Sequence, residues 1–358
     1  MTVLESYGWT PERQTGFEPF AERGLLPGRI VVQQRSHARV MTEDGEVTAS
    51  LAGKLAYQAG DLDFPVTGDW VACTHHPGDG ASIQSVLPRT GLFVRRAAGQ
   101  GQAVQAVAAN VDLALLVSSL NADLNPRRLE RYLAMALESR VRPVVVLTKA
   151  DLAEQGAPTA VDMSSALGGV EVLVISARTG LGMDALSARL APGLTAVLLG
   201  SSGAGKSTIV NALAGEEKMT TAAIRDSDAH GRHTTTHREL VLMPSGALLL
   251  DTPGMRELGL WDAQAGLTAA FADLEAQLET LAQNCRFRDC RHGAEPGCAV
   301  QAALREGQLD RDRWQSLGKL RAELAQGQGR QRRPPPVKAR RSTSGRSGRT
   351  GSNGVERG

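Results

Sequence analysis

Hydrophobic and polar residues alternate in short runs along the first part of the chain. The runs are RIVVQ, HARVMT, EVTASL, DWVACTH and ASIQSVL, and all lie within residues 28–95. The Asp44-Gly45 pair between two of them is a strong signal for a β-hairpin. Short strands at this spacing predict a small closed β-barrel. The pattern leaves open whether this is an oligonucleotide-binding (OB) fold or another small β-domain.

From about residue 110 the apolar runs become nearly continuous and alternate with segments of helical periodicity. Their sequences are VDLALLVSS, PVVVLTKAD, VEVLVISA, AVLLGSSGAGKS, ELVLMP and ALLLDTPG. One intervening helix is predicted to start at Asn125-Pro126. This alternation predicts an α/β domain whose mainly parallel sheet is covered on both faces. Functional groups are then expected at the carboxyl ends of the strands.

After Trp261 the sequence becomes helical, passes through a loop rich in Cys and His, and resumes a helix to about Gln326. These changes of pattern predict five segments. They are an N-terminal extension (1–27), the barrel (28–95), the α/β domain (96–265), a helical Cys/His domain (266–326) and a disordered basic tail (327–358).

Composition is that of an ordinary soluble protein, with 42% hydrophobic and 22% charged residues in 358. The longest apolar runs are too short to cross a bilayer, and no leader is evident, so we expect a cytoplasmic protein without membrane association. Residues 327–358 carry nine Lys/Arg and one Glu, a net charge of +8 against +2 for the whole chain. Such a tail either solubilises the protein or holds a phosphate polyanion.

The segment from Val197 to Thr208, VLLGSSGAGKST, matches the phosphate-loop pattern G-x-x-x-x-G-K-[ST] between a strand and a helix. Its glycines allow backbone N–H groups to surround phosphate oxygens, Lys206 can reach the β and γ phosphates, and Ser207 can ligate Mg²⁺. The sequence therefore predicts a site for a nucleoside triphosphate. The residues expected to contact it are Gly200, Ser201, Ser202, Gly203, Ala204, Gly205, Lys206, Ser207 and Thr208.

Three other strand ends supply the remaining contacts of such a site. Asp251 and Gly254 of DTPG suit water-mediated Mg²⁺ binding and sensing of the γ phosphate. In TKAD (Thr148, Lys149, Ala150 and Asp151), the Asp151 carboxylate can accept the two N–H groups of guanine, which adenine does not offer. The pair Ser176 and Ala177 ends the next strand, where a backbone N–H can meet the guanine O6. Guanine is therefore the predicted base.

The order of these segments is unusual, because TKAD and SA precede the phosphate loop. A circularly permuted chain would build the same site, since only the arrangement of strand ends in space matters. The ordered set TKAD, SA, GSSGAGKST, GRHTTTH and DTPG resembles the circularly permuted small ribosomal subunit biogenesis GTPases, the RsgA (YjeQ) family, over roughly residues 28–320. The resemblance implies an OB-fold domain, a permuted P-loop GTPase domain and a zinc domain.

One position departs from the usual guanine-reading motif, which begins with Asn where this chain has Thr148. The polar segment between the phosphate-loop helix and ELVLMP is predicted to be a switch loop that orders around Mg²⁺ and the γ phosphate. One of the threonines at 234–236 is expected to ligate Mg²⁺, and Thr235 is favoured. Met255 stands where many GTPases carry a water-orienting Gln. By resemblance, His233 of GRHTT is the candidate for that catalytic role, and the alternative is a solvated loop histidine.

Cys285, Cys290, His292 and Cys298 have the residue types and spacing of a closed structural Zn²⁺ site. A disulfide interpretation would leave one Cys over in a cytosolic protein. The only other cysteine, Cys73, lies in a predicted barrel strand and is interpreted as a core residue. Arg286, Arg288 and Arg291 between the ligands either contact RNA phosphates or form a solvated rim.

These features predict an enzyme that hydrolyses GTP to GDP and phosphate, with Lys206, Ser207, Thr235 and His233 as catalytic residues. The resemblance implies a switch in late small (30S) subunit assembly that binds rRNA and is stimulated by the subunit, and we expect a monomer. Two alternatives are an RNA-binding assembly factor that uses GTP only as a sensor, and a permuted GTPase acting on another ribosomal particle.

Overall fold

The structure, a computed structural model, describes residues 1–34, 37–60, 62–76, 80–96, 104–121, 124–215, 239–251 and 263–331. Within those ranges, every helix is too short or too polar to cross a membrane.

The predicted N-terminal barrel is confirmed. Its five strands close into a ring, because β1 pairs with both β2 and β4, β3 pairs in parallel with β5, and β5 pairs with β4. Ile30, Val40, Val71 and Ile83 fill the interior and are fully buried. The strands are β1 (Leu26–Gln33), β2 (Ala38–Thr42), β3 (Gly45–Leu51), β4 (Trp70–His76) and β5 (Gly80–Val86), with helix α3 (Gly53–Gln58) after β3.

The predicted α/β domain is also confirmed. Five parallel strands lie in the order β10-β9-β8-β11-β13, and β12 adds an antiparallel edge next to β13. All seven residues of β8 are buried, as expected for a strand covered on both faces. The strands are β8 (Leu113–Ser119), β9 (Arg142–Thr148), β10 (Val172–Val174), β11 (Thr195–Gly200), β12 (Glu239–Leu242) and β13 (Leu248–Asp251).

Two of the helices of this domain, one starting at Pro126 and one following the phosphate loop, were predicted from the sequence. Helix α4 begins at Pro126, and the side chain of Asn125 caps it by accepting a hydrogen bond from the backbone N–H of Arg128. Gly215 ends α7 in a left-handed conformation. The helices of this domain are α4 (Pro126–Glu138), α5 (Ala160–Ala166), α6 (Met183–Ser187) and α7 (Lys206–Ala214), with a 3₁₀ turn at Ala150–Leu152.

Two features near the N-terminus were not anticipated. Helices α1 (Val3–Ser6) and α2 (Pro11–Ala21) cover one side of the barrel, where Trp9 packs edge-on against Trp70 with ring centroids 4.8 Å apart. A separate hairpin of β6 (Leu92–Arg96) and β7 (Val104–Ala109) connects the barrel to the α/β domain. The barrel and the large sheet also touch directly, through the pairing of Val32 in β1 with Glu239 in β12.

Four helices form the C-terminal module: α8 (Gln264–Ala270), α9 (Ala272–Ala282), α10 (Ala299–Arg305) and α11 (Arg311–Gln331). Gly266 in α8 packs directly on α4, so closely that a Cβ there would lie 2.1 Å from the carbonyl oxygen of Ala134. The predicted helix end at Gln326 is too early, because the backbone of α11 remains helical to Gln331. The predicted disordered tail is therefore helical at its start, and the rest of it lies outside the described residues.

Candidate nucleotide and metal sites

The predicted phosphate loop connects β11 to α7 at the carboxyl edge of the parallel sheet. Gly203 and Gly205 have positive φ angles of +75° and +97°, which a residue with a side chain rarely adopts. At Gly200, a Cβ would lie 2.4 Å from the carbonyl oxygen of Val117 in the neighbouring strand. These glycines are needed for the tight turn that points backbone N–H groups into one concave space.

Lys206 is the first residue of α7, and its ammonium group folds back over the loop. Its Nζ donates hydrogen bonds to the carbonyl oxygens of Gly200 and Ser201, at 2.8 and 2.6 Å. The positive end of the helix dipole and the lysine charge therefore coincide at the loop. Both favour a bound anion.

Thr148, the last residue of β9, fixes the loop from the neighbouring strand. Its buried hydroxyl donates a 2.6 Å hydrogen bond to the carbonyl oxygen of Ala204. A Cβ at Gly205 would lie 3.2 Å from the same hydroxyl, so the contact between strand end and loop is tight. Thr148 thus braces the phosphate loop from the position where the usual guanine-reading motif has Asn.

Asp151 follows the strand end that carries Thr148, and its carboxylate is held by two donors. The Ser176 hydroxyl donates to one oxygen at 2.6 Å, and Arg178 Nε donates to the other at 2.8 Å. The hydrogen bond from Ser176, followed by that from Arg178, holds the pKa of Asp151 below its usual value. The carboxylate is therefore ionised, and a buried serine fixes its orientation. A group that recognises N–H donors needs both properties.

The segments TKAD and SA are joined through their backbones. The N–H of Ala150 donates to the carbonyl oxygen of Ile175 at 3.1 Å, directly before Ser176 and Ala177. Lys149 adopts a left-handed conformation (φ 59°) that starts the 3₁₀ turn carrying Asp151. The structure thus brings together at one sheet edge the phosphate loop, TKAD and SA, which are far apart in the sequence.

Other predicted site residues lie wholly or partly outside the described region. Asp251 ends β13, next to β11, but only its backbone is described. Gly254, His233 and Thr235 are outside the described residues.

The predicted metal ligands converge in the C-terminal module. The Sγ atoms of Cys285, Cys290 and Cys298 and a ring nitrogen of His292 all lie within 4.8 Å of one another. Nδ1 of His292 is 3.6 Å from the sulfurs of Cys285 and Cys298, and those sulfurs are 4.0 Å apart. Zn–S bonds of about 2.3 Å in a tetrahedron place sulfurs roughly 3.8 Å apart, so this donor set fits one Zn²⁺ ion.

Neighbouring groups hold these ligands in place. The backbone N–H of Gln301 donates to Cys298 Sγ at 3.4 Å, and the Gln301 side chain donates to the carbonyl oxygen of His292 at 2.6 Å. Glu295 accepts hydrogen bonds from the backbone N–H groups of Arg291 and Gly293. Such outer contacts orient ligands for a metal.

Cys73, in contrast, is buried in the barrel, and burial raises the pKa of its thiol to about 12.

Arg178 is the contact of the candidate nucleotide site that the sequence reasoning missed. It directly follows Ser176 and Ala177, and its position in that segment was the available signal. Because its side chain is 75% exposed, nothing in the hydrophobic pattern marked it.

Comparison with known proteins identifies the chain. A family model described as RsgA GTPase matches residues 86–261. The small ribosomal subunit biogenesis GTPase RsgA of Opitutus terrae is 43% identical over 94% of this chain and 93% of its own length. The protein of the same name from Streptomyces coelicolor is 46% identical over 90% of this chain and 87% of its own.

Solved structures agree. The crystal structure of YjeQ from Thermotoga maritima superposes with a TM-score of 0.59 and 25% identity, covering 84% of this chain and 99% of that one. YloQ, described as a circularly permuted GTPase, shares the fold with a TM-score of 0.54 over 87% of this chain and 97% of its own, at 23% identity. The chain therefore belongs to the RsgA GTPase family and is a GTP-hydrolysing enzyme.

Proposed function

We propose that this protein hydrolyses GTP to GDP and phosphate as a switch in late assembly of the small ribosomal subunit. The observation that carries the proposal is the convergence of the phosphate loop with Thr148, Asp151 and Ser176 at one sheet edge. The relatives named above support the ribosomal setting, because each is called a small ribosomal subunit biogenesis GTPase.

The phosphate loop would hold the triphosphate. Backbone N–H groups from Gly200 to Thr208 surround the phosphates, and Lys206 leaves the loop carbonyls to contact the β and γ phosphates. Ser207 and Thr235 would ligate Mg²⁺, and Asp251 would hold it through water. The bound ion would neutralise phosphate charge. The backbone N–H of Gly254 would donate a hydrogen bond to the γ phosphate, so this contact would depend on the presence of that phosphate.

Asp151 would read the base. Its two oxygens accept from N1–H and the exocyclic amine of guanine, while Ser176 keeps the carboxylate in plane. Adenine offers no such pair of donors, so an adenine nucleotide would leave an ionised carboxylate unpaired, which is costly. Lys149, Ala150 and Ala177 complete the base site, the last through its backbone N–H.

His233 is proposed to orient the attacking water, since Met255 occupies the position of the usual Gln. Lacking that Gln, the enzyme is expected to turn over slowly until the ribosomal subunit completes the site. The DTPG segment leads into the C-terminal module. Loss of the γ phosphate would therefore be transmitted to that module and release the protein.

The remaining parts would dock the protein on its partner. Zn²⁺ at Cys285, Cys290, His292 and Cys298 would fold the module, and its arginines would contact rRNA phosphates together with the OB-fold barrel. We assign the domains as 28–95, 96–265 and, because α11 continues to Gln331, 266–331, between the N-terminal extension and the rest of the basic tail. The protein would act as a cytoplasmic monomer.

The test is GTP turnover by the purified protein alone, with isolated small subunits and with isolated large subunits, and with ATP as control nucleotide. Strong stimulation by small subunits alone is expected. Equal rates in all mixtures would contradict the proposal and favour an RNA-binding assembly factor that only senses GTP. Stimulation by large subunits would favour a GTPase acting on another ribosomal particle.

A further inference from the structure

A second cleft lies at the opposite end of the parallel sheet from the phosphate loop. Its volume is about 680 Å³, within the usual range for small-molecule sites. The N-terminal segment with α1 and α2 forms one wall, and the starts of β8 and β11 form another, at Asp112 and Leu194. The cleft therefore lies where the N-terminal extension, the barrel and the α/β domain meet.

Two arginines lie at this cleft beside one aromatic ring. The guanidinium carbon of Arg29 is 5.0 Å from the centroid of Trp70, and that of Arg13 is 5.5 Å from it. Arg29 is 2% exposed, and its hydrogen bonds go to neutral acceptors: the carbonyl oxygens of Tyr7, Gly68 and Asn110 and the hydroxyl of Thr195. Two like charges are thus held close together in a poorly solvated place.

Arg13 differs from Arg29 because its guanidinium faces water in the cleft. Among the described residues, its guanidinium donates no hydrogen bond, although the side chain is half-buried. Burial and then the charge of Arg13 lower the pKa of Arg29 to about 9, and burial lowers the pKa of Arg13. A guanidinium that faces a cleft without a protein acceptor is available to a ligand, and perturbed groups in a cleft are typical of binding sites.

The lining of the cleft holds three carboxylates, those of Glu5, Glu12 and Asp112, beside the two arginines. Asp112 is the carboxylate that acts on both arginines, and one of its oxygens accepts from the backbone N–H of Thr195. Glu5 binds the backbone N–H of Thr2 instead, and Glu12 is exposed. Asp69 also acts on Arg29 but is paired with Arg89. Among the described residues, no carboxylate lies within ion-pair distance of Arg13, so its guanidinium is the cation of the cleft that a ligand can pair with.

The other walls are apolar and include Trp9, Leu87, Pro88, Pro192 and Leu194. We propose that this cleft binds a small organic acid, whose single carboxylate pairs with Arg13 and whose apolar body packs against these walls. The carboxylate would accept from the planar guanidinium in a bidentate way. The site is separate from the nucleotide site, and its binding does not depend on the function proposed above.

The test uses the full-length protein and two matched pairs of probes, benzoate with benzamide and 2-naphthoate with 2-naphthamide. Saturation-transfer NMR detects the binding of each probe, and calorimetry measures its Kd. Each acid is expected to bind about tenfold more tightly than its neutral amide, as for a charge-assisted hydrogen bond. Arg13→Gln should abolish this preference, and Arg13→Lys, which restores a point charge, should recover part of it.

Arg23→Gln is the matched control, because Arg23 is an exposed arginine of the same N-terminal extension that does not line the cleft. It should keep the wild-type preference for the acids. Absence of binding by both acids, equal binding of acids and amides, or an unchanged preference in Arg13→Gln would each overturn the proposal. Thermal unfolding of every variant shows whether the fold is retained.

Discussion

The hydroxyl of Thr148 donates a 2.6 Å hydrogen bond to the carbonyl oxygen of Ala204, and so joins the end of β9 to the phosphate loop. Thr148 precedes the base-reading segment, and Ala204 lies inside the loop that would hold the phosphates. One buried contact thus fixes the distance between the two halves of the nucleotide site. Threonine makes this contact at the position where the usual motif has asparagine.

Replacing that threonine tests the contact. Thr148→Val keeps the shape but removes the hydroxyl and leaves the Ala204 carbonyl without this partner. We expect the Kd for GDP to rise about fivefold, the equivalent of one ordinary hydrogen bond. Thr148→Ser, which keeps the hydroxyl, should bind GDP nearly as the wild type does. Fluorescence titration with a labelled GDP measures both; equal affinity in the valine variant would show that the brace is unimportant.

Asp151 is expected to decide base preference. Asp151→Asn replaces one acceptor with a donor, so GDP should bind at least about tenfold more weakly, while xanthosine diphosphate, with a carbonyl at C2, should bind more tightly. Asp184→Asn, a change at an exposed helix position, is the control. Competition titrations with the two nucleotides measure the preference. An unchanged preference for GDP in Asp151→Asn would remove this residue from the base site.

The same residue predicts a pH dependence. Because the Ser176 hydroxyl and then Arg178 lower the pKa of Asp151, the carboxylate stays ionised as the pH falls through the usual range for Asp. GDP affinity should therefore be constant down to that range and fall only below it. In Ser176→Ala the pKa should rise, and the loss should begin at higher pH.

Metal removal should affect the C-terminal module specifically. The protein as purified is expected to contain one Zn²⁺ per chain by elemental analysis, held by the three cysteines and His292. A strong chelator, or Cys290→Ser, should lower the melting temperature and the helix content of the module, since metal binding supplies folding free energy. Cys73→Ala should leave the zinc content unchanged. A zinc content unaffected by Cys290→Ser would contradict the ligand assignment.

Two glycines of the C-terminal module should respond in opposite directions to the same substitution. Gly266→Ala places a Cβ 2.1 Å from the carbonyl oxygen of Ala134, so α8 must move off α4, and we expect a loss of at least about 2 kcal/mol in the free energy of unfolding. Gly318, exposed in α11, has open space around it. Gly318→Ala should stabilise the protein by about 0.5–1 kcal/mol. Equilibrium denaturation measures both, and a neutral Gly266→Ala would contradict the close packing.

The sequence predicted most of the architecture because its hydrophobic patterns are clear. In β2, β3 and β5 the alternating pattern corresponds to one buried face and one more exposed face. In β8, β9 and β11 the continuous apolar runs correspond to a sheet that is buried on both faces. The phosphate loop was predictable because its glycines are required by backbone geometry. The cluster of Cys285, Cys290, His292 and Cys298 was predictable because the four residues are close together in the sequence.

Other features depend on contacts between distant segments, and the sequence carries no periodic signal for them. Arg178 reaches Asp151 with an exposed side chain, and Arg13 meets Trp70 across 57 positions of the sequence. The end of α11 was placed too early because Gly327 and Gly329 weaken the helical pattern, yet the backbone continues as a helix to Gln331.

The central claim is that the loop from Gly200 to Thr208 binds and hydrolyses GTP in a guanine-specific site. The most direct measurement is nucleotide binding and single-turnover hydrolysis by the wild type and Lys206→Ala, with GTP and ATP, after thermal unfolding has shown both to be folded. We expect the wild type to bind and hydrolyse GTP but not ATP, and Lys206→Ala to lose most of both activities. Hydrolysis of ATP at a similar rate, or an unchanged rate in Lys206→Ala, would contradict this claim.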